Sequence, residues 1–296
     1  MVITVLSGKG GVGKSMIASC LAILFSKERK VVSVDCDTDA PNLALWLGID
    51  TNNIDSKNTR NISTIEKPVI DHDKCVLCRQ CVNECPSNAL VEKNGKIELI
   101  KYRCEGCGLC EIICKQGAIK LEPVMNCKLS IFDTKWGFPL IQGQIQPGEA
   151  ESGKAVNEIR RLSEKYMMKD TIIIQDAAAG IGCPVIASIR GSDLVIGVCE
   201  PSKSSMHDLD RVLKLTQKFN IDYRIVINKY DLNSSISEEI EKTYKDKILG
   251  KIPYDEKVIN AITELTPILE SDSKVKDEVE GIFLELLRHE KVSKIN

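Results

Sequence analysis

No stretch of this chain is long and apolar enough to suggest a membrane-spanning helix. Runs without a charged residue, such as Ala177 to Ile189, reach no more than 13 residues, where a span takes roughly 18 or more apolar residues. An excess of one charge is also missing. With 40 Lys and Arg against 42 Asp and Glu, the net charge is −2, which argues against wholesale nucleic-acid binding and leaves room only for a local basic patch. Met1 to Leu6 carry neither a basic n-region nor a small-residue cleavage site, so a cytoplasmic protein without a leader is expected. Hydrophobic residues at 43% and charged residues at 28% exclude a mostly disordered or collagen-like chain. A length of 296 residues suggests about two domains, at roughly 100–200 residues each.

Cysteine is plentiful and unevenly spread. Of 13 cysteines, eight fall between Cys75 and Cys114. An odd total without a leader argues against a secreted disulfide framework, so the clustering points to metal. The block is an internal repeat. Cys75, Cys78, Cys81 and Cys85 recur as Cys104, Cys107, Cys110 and Cys114, each displaced by 29 positions, and Ala89 and Leu90 recur as Ala118 and Ile119. This is C-x2-C-x2-C-x3-C written twice. Zinc sites usually separate two C-x2-C pairs by a longer spacer. The spacing here lets three thiolates reach one cubane while the fourth serves the other. Cys75, Cys78, Cys81 and Cys114 are therefore expected to hold one 4Fe–4S cluster, and Cys85, Cys104, Cys107 and Cys110 a second. The segment resembles bacterial-type two-cluster ferredoxins over residues 68–122. It departs at Lys115, where the first half has Pro86.

The flanking chain has a different signature. Val2 to Leu6 reads as a buried strand, followed by Gly8-Lys9-Gly10-Gly11-Val12-Gly13-Lys14-Ser15-Met16 and a helical pattern at Ile17, Leu21, Leu24 and Phe25. Strand, glycine loop, Lys-Ser and helix form a P-loop. Its backbone N–H groups cradle phosphate, Lys14 reaches the β- and γ-phosphates, and Ser15 meets Mg2+. The strand Val31 to Val34 runs into Asp35, Asp37 and Asp39, of which Asp37 is the candidate to orient attacking water and Asp39 a second. The strand Thr171 to Gln175 ends in Asp176, the candidate Mg2+ carboxylate. Further strands are expected at Leu194 to Val198 and Arg224 to Ile227, the latter running into Asn228-Lys229-Tyr230-Asp231. That tetrapeptide matches a guanine signature superficially.

The KGGVGKS loop resembles the deviant Walker A motif of the MinD/ParA/Mrp/nitrogenase-iron-protein superfamily. The resemblance implies a homodimer closing on ATP, in which Lys9 contacts the phosphates bound by the other subunit. As a residue alone, Lys9 also reads as a solvated loop lysine. The resemblance implies adenine at Asn228, with the Gly250 to Asp255 stretch near the base. It points to Cys183 in switch II as a ligand of an interfacial third cluster, with Cys127 as its companion; packing of Cys183 beside Pro184 is the other reading. Cys20, Cys36 and Cys199 read as core. Glu149 to Lys154 resembles a G-E-x-x-S-G-K element of the same group and equally reads as a helix entry.

Alternating strands and helices imply an α/β, doubly wound, mostly parallel sheet. Residues 1–67 and 123–296 would form a discontinuous ATPase domain interrupted by a small α+β ferredoxin domain at 68–122. Residues 51–67 read as a polar linker, with Pro68 and Pro123 bracketing the insert. Val279, Ile282, Phe283, Leu286 and Leu287 make one apolar helical face. Interspersed acidic residues favour its docking on the ATPase core over a membrane surface. Three functions follow as expectations: ATP-governed electron transfer to a partner protein, cluster delivery to an iron–sulfur acceptor, and a positioning ATPase with a structural ferredoxin module.

Overall fold

The structure is a computed structural model describing residues 1–51, 59–149 and 152–293. β1 (Val2–Ser7), α1 (Lys14–Ser26), β2 (Lys30–Asp35), α2 (Leu43–Trp46) and β3 (Thr59–Ile70) come before the cysteine block. The block holds α3 (Gln80–Asn83), β4 (Leu90–Lys93), β5 (Lys96–Leu99) and α4 (Leu109–Ile113). After it come β6 (Ile119–Asp133), β7 (Pro139–Ile145), α5 (Ser152–Glu164), β8 (Thr171–Ala179), α6 (Cys183–Ile189) and β9 (Leu194–Cys199). The chain closes with α7 (Lys203–Lys218), β10 (Asp222–Asn228), α8 (Ser234–Tyr244), β11 (Ile248–Ile252), α9 (Lys257–Thr263), α10 (Val275–Leu287) and α11 (Glu290–Ser293).

Among the described residues, nine strands form one sheet in the order β11-β10-β9-β1-β8-β2-β7-β6-β3. The pairs from β11 through β7 are parallel, and β6 runs antiparallel to both β7 and β3. Parallel strands covered on both faces need apolar residues on both sides. In β1, Ile3 and Val5 face one core while Val2 and Leu6 face the other side. The first core packs α1, α2 and α10 on the sheet, and the opposite face carries α5, α6, α7 and α8. The expected doubly wound, mostly parallel sheet is therefore present. α10 docks on the core as expected: Phe283 meets Phe25 of α1 edge-on at 4.8 Å between ring centres, and Ile282 fills the space over Gly250.

Two expectations are corrected at the edge of the sheet. Thr59 to Lys67 is strand rather than linker, while residues 52–58 lie outside the described residues. Its polar residues suit an edge strand, and Asn126 Oδ1 accepts the Thr64 N–H at 2.8 Å where the ladder bulges. Pro68 and Pro123 are not breaks. They lie inside the ribbon, opposite Leu121 and Glu66. The β3–β6 ribbon thus grows out of the main sheet, and residues 71–118 hang from its end, where Asp71 N–H donates to Ala118 O at 2.7 Å.

Candidate functional site

Gly13 forms the turn from β1 into α1. Its φ of 92° suits glycine, and an added Cβ would stand 2.2 Å from Asn228 Nδ2. The packing is that tight because Asn228 donates from Nδ2 to Val12 O at 2.8 Å and accepts from Lys229 N–H at 3.0 Å. Lys229 adds a second brace, donating to Gly11 O at 3.2 Å. The end of β10 therefore holds the glycine loop in shape from beneath.

Lys14 and Asp176 meet at the centre. Lys14 Nζ donates to Asp176 Oδ1 at 2.5 Å and to Ser15 Oγ at 3.3 Å. Burial pulls the Lys14 pKa down, but the Asp176 carboxylate outweighs it and leaves the ammonium above its usual range. The other Asp176 oxygen, Oδ2, is buried and has no hydrogen-bond partner among the described residues. A buried carboxylate oxygen left over, with a serine hydroxyl on the same ammonium, suits a hard cation such as Mg2+. Asp35 sits opposite Asp176 across the β2–β8 ladder. Its carboxylate accepts N–H bonds from Asp37, Asn42 and Leu43 at 2.9–3.0 Å. Burial and then the Asp176 charge push its pKa up.

A cleft of about 470 Å³ opens over this centre, lined by Gly10, Gly11, Gly13, Lys14, Ser15, Met16, Asp37 and Asn228. Trp46, Pro253, Tyr254, Val258, Ile259 and Ile262 form its apolar part. Seven of the predicted nucleotide residues line it. Three do not. Val12 is in the core and contributes its carbonyl to Asn228. Gly8 packs on α7, where a Cβ would meet Asp208 backbone at 2.2 Å. Lys9 stands at the rim, paired with Glu200 at 3.0 Å and 43% exposed. Asp37 lines the cleft, its pKa raised by burial. Asp39 is exposed and does not line the cleft. Asp231, last of the N-K-x-D run, accepts from Tyr254 N–H at 2.7 Å and also stands off the lining. Asp35, Glu200, Lys229 and Trp46 were not singled out from sequence. For Asp35 a signal existed, since it is the residue at which β2 ends.

The cysteine block surrounds two hollows. One hollow is lined by Cys75, Cys78, Cys81 and Cys114, and another by Cys85, Cys104, Cys107 and Cys110, and Cys81 lines both. The repeat is also present in the backbone. Leu77, Arg79 and Asn88 have φ of 55°, 61° and 50°, and their counterparts 29 positions on, Gly106, Gly108 and Gly117, have 68°, 77° and 61°. Leu77 and Arg79 adopt a left-handed conformation costing about 1–2 kcal/mol each, so each thiol loop is held to one shape. Burial and then the neighbouring Cys75, Cys78 and Cys114 raise the Cys81 thiol. Burial, with Cys104 and Cys107 nearby, takes Cys110 to about 11. Among the described residues no three His, Cys, Asp or Glu side chains converge as ligands of a single ion. A cubane asks for something else, four thiols spaced around a cluster, each on its own iron, and the donor set of each hollow suits it.

Cys127 is corrected. It is a fully buried residue of β6, packed among Ile62, Ile145 and Ala155, so it offers no thiol to a second subunit. Cys183 is exposed at the start of α6, against Gly153 of α5. Cys20, Cys36 and Cys199 are core as expected. Of the Glu149 to Lys154 element, Ala150 and Glu151 lie outside the described residues.

Comparison with known proteins agrees with the cleft. The CobQ/CobB/MinD/ParA nucleotide binding domain matches residues 3–268. An uncharacterized protein of Methanocaldococcus jannaschii is 36% identical over 287 residues, covering 97% of this chain and 96% of that one. A stretch of 57 residues, 19% of this chain and 9% of its relative, is 44% identical to indolepyruvate oxidoreductase subunit IorA of Methanothermobacter marburgensis. Among solved structures, the septum site-determining protein MinD of Pyrococcus horikoshii, complexed with Mg-ADP, superposes with a TM-score of 0.60 at 18% identity, covering 97% of this chain and 96% of that one. With its glycine loop, Lys14 and Asp176 assembled at one end of a parallel sheet, the chain belongs to the CobQ/CobB/MinD/ParA family of nucleotide-binding P-loop ATPases.

Proposed function

We propose that this chain is an iron–sulfur ATPase in which ATP, bound in a nucleotide-sandwich homodimer, governs electron transfer through two 4Fe–4S clusters to a partner protein. The carrying observation is that eight cysteines line two neighbouring hollows, Cys75, Cys78, Cys81 and Cys114 the one and Cys85, Cys104, Cys107 and Cys110 together with Cys81 the other, at the end of a ribbon continuous with the P-loop sheet. Residues 1–67 and 123–296 are read as the ATPase part and 68–122 as the ferredoxin part.

Each cleft residue then has a task. Lys14 exchanges Asp176 for the β- and γ-phosphates, two anions competing for one buried ammonium. Ser15 and the released Asp176 are the ligands offered to Mg2+, which supplies charge neutralisation at the phosphates. Asp37 orients the attacking water. Lys9 leaves Glu200 for the partner subunit's nucleotide, an exchange of a weak exposed pair for a charge-assisted one. Tyr254 and Pro253 flank the base, and the use of Asp231 on the Tyr254 backbone favours adenine over guanine. In the cysteine block, Cys75, Cys78, Cys81 and Cys114 would hold one cluster and Cys85, Cys104, Cys107 and Cys110 the other. When bound, the clusters supply one-electron storage and transfer.

Burial of Cys127 weighs against the carrier reading, which needs labile interfacial ligands. The test is anaerobic reconstitution followed by electron delivery to a low-potential acceptor with and without MgATP. Delivery that depends on ATP supports the reading. Delivery indifferent to ATP overturns it, and transfer of iron and sulfide to an apo-acceptor would put the carrier in its place.

A further inference from the structure

One buried cation joins the two parts of the molecule. Lys67, in β3, is 4% exposed. Its Nζ stands 2.6 Å from Glu149 Oε2, as an ion pair rather than an aligned hydrogen bond. It also donates to Lys101 O at 2.9 Å. The same carbonyl accepts the Cys104 N–H at 3.3 Å, so the ammonium is one shared acceptor from the backbone of a cysteine in the second hollow. Pro68, the next residue, lines that hollow. Gly106, between Cys104 and Cys107, packs down on the residues just before Lys67, where a Cβ would meet Ile65 at 2.5 Å and Glu66 O at 2.8 Å. Neither Lys67 nor Pro68 lines the first hollow.

Other charges near the hollows are of a different kind. Glu84 and Glu105 line the second hollow and Arg79 the first, and all three are exposed. Solvent and salt screen exposed charges, whereas a buried one keeps its field. Its counterion, Glu149, belongs to the loop after β7 and so to the ATPase part. The pair is therefore a dipole with its positive end against the Cys104 turn.

We propose that Lys67 and Glu149 are a positioning and tuning pair that acts more strongly on the second cluster than on the first: Lys67 favours the reduced form, and Glu149 limits that effect. The inference rests on the two-cluster reading above. A positive charge nearby stabilises the form carrying the extra electron. Removing Lys67 therefore makes the second cluster harder to reduce, and neutralising Glu149 makes it easier. The opposite signs separate electrostatics from simple damage to packing, which would move both variants the same way.

The experiment is a dithionite titration of the anaerobically reconstituted full-length protein, followed by EPR, in wild type, Lys67→Met, Lys67→Arg and Glu149→Gln, with iron and sulfide measured on each. At a fixed ambient potential, Lys67→Met should lower the reduced-to-oxidised ratio of the second cluster on the order of threefold to tenfold. Glu149→Gln should raise it, Lys67→Arg should stay near wild type, and the first cluster should move less than the second in all three. Shifts of one sign in Lys67→Met and Glu149→Gln, or equal shifts in both clusters, overturn the proposal. Wild-type protein that takes up no iron overturns the two-cluster reading and the proposal with it. Full iron with the wrong pattern of shifts overturns the proposal alone.

Discussion

Lys14 Nζ and Asp176 Oδ1 stand 2.5 Å apart at the floor of the nucleotide cleft, each the other's buried counter-charge. The pair holds two phosphate-site groups in place before phosphate arrives. Lys14→Ala should lower nucleotide affinity roughly 100-fold, the worth of a charge-assisted contact. It should also destabilise the empty protein, because Asp176 is left buried and unpaired. Titration with a fluorescent nucleotide and urea denaturation check the two effects. Unchanged affinity would remove Lys14 from the site.

Gly13 and Gly11 both have positive φ, but only Gly13 faces an obstacle. Gly13→Ala should destabilise by about 3 kcal/mol or more, because backbone strain adds to displacement of Asn228 and loss of its bond to Val12 O. Gly11→Ala meets open space and should cost about 1–2 kcal/mol, the strain alone. Equal losses in the two variants would show that the Asn228 brace contributes nothing.

Cys114 shares one hollow with Cys75, Cys78 and Cys81, and Cys85 shares the other with Cys104, Cys107 and Cys110 as well as with nearby Cys81. Cys114→Ser should impair the cluster held by Cys75, Cys78 and Cys81. Cys85→Ser should impair the one held by Cys104, Cys107 and Cys110. Each variant should retain at least about half the iron of wild type, with EPR of a different cluster retained in each. Loss of the same cluster in both would refute the crossed assignment.

His289 lies against Asp222 at 3.0 Å, with Lys247 on the other carboxylate oxygen. Burial outweighs the Asp222 contact and lowers the His289 pKa. Burial works against the Asp222 charge, but its contacts with Lys247 and His289 prevail and hold that carboxyl well below its usual range. Both shifts are downward, so both groups take up protons more readily in the unfolded chain. Stability should therefore fall as pH drops below about 6.5 through His289, and again below about 3.9 through Asp222. His289→Gln should flatten the first decline in urea midpoints measured between pH 7 and pH 5. An unaltered slope would assign that decline elsewhere.

Much of this could be read from sequence, for reasons visible in particular residues. The strand before the glycine loop, the helix after it and the β2 and β8 strands are fixed by local pattern, and Asp176 follows from its strand. The pairing of Cys114 with the first repeat follows from spacing. The edge of the sheet was not legible. Thr59 to Lys67 is polar enough to read as linker, and it becomes strand because β6 supplies its partners some 60 residues later in the chain. The brace from Asn228 and Lys229 to the glycine loop spans more than 200 residues. Burial of Cys127 depends on packing of α5 over β6 and β7, which spacing does not reveal.

The central claim is that the nucleotide cleft and the cysteine block act on one another. Its most direct test is the reduction potential of the clusters, measured anaerobically with MgATP, with MgADP and without nucleotide. The account predicts a shift of about 30 mV or more between the ATP and nucleotide-free states, equivalent to roughly a threefold change in the ratio of reduced to oxidised cluster. Potentials that coincide in all three states would contradict it.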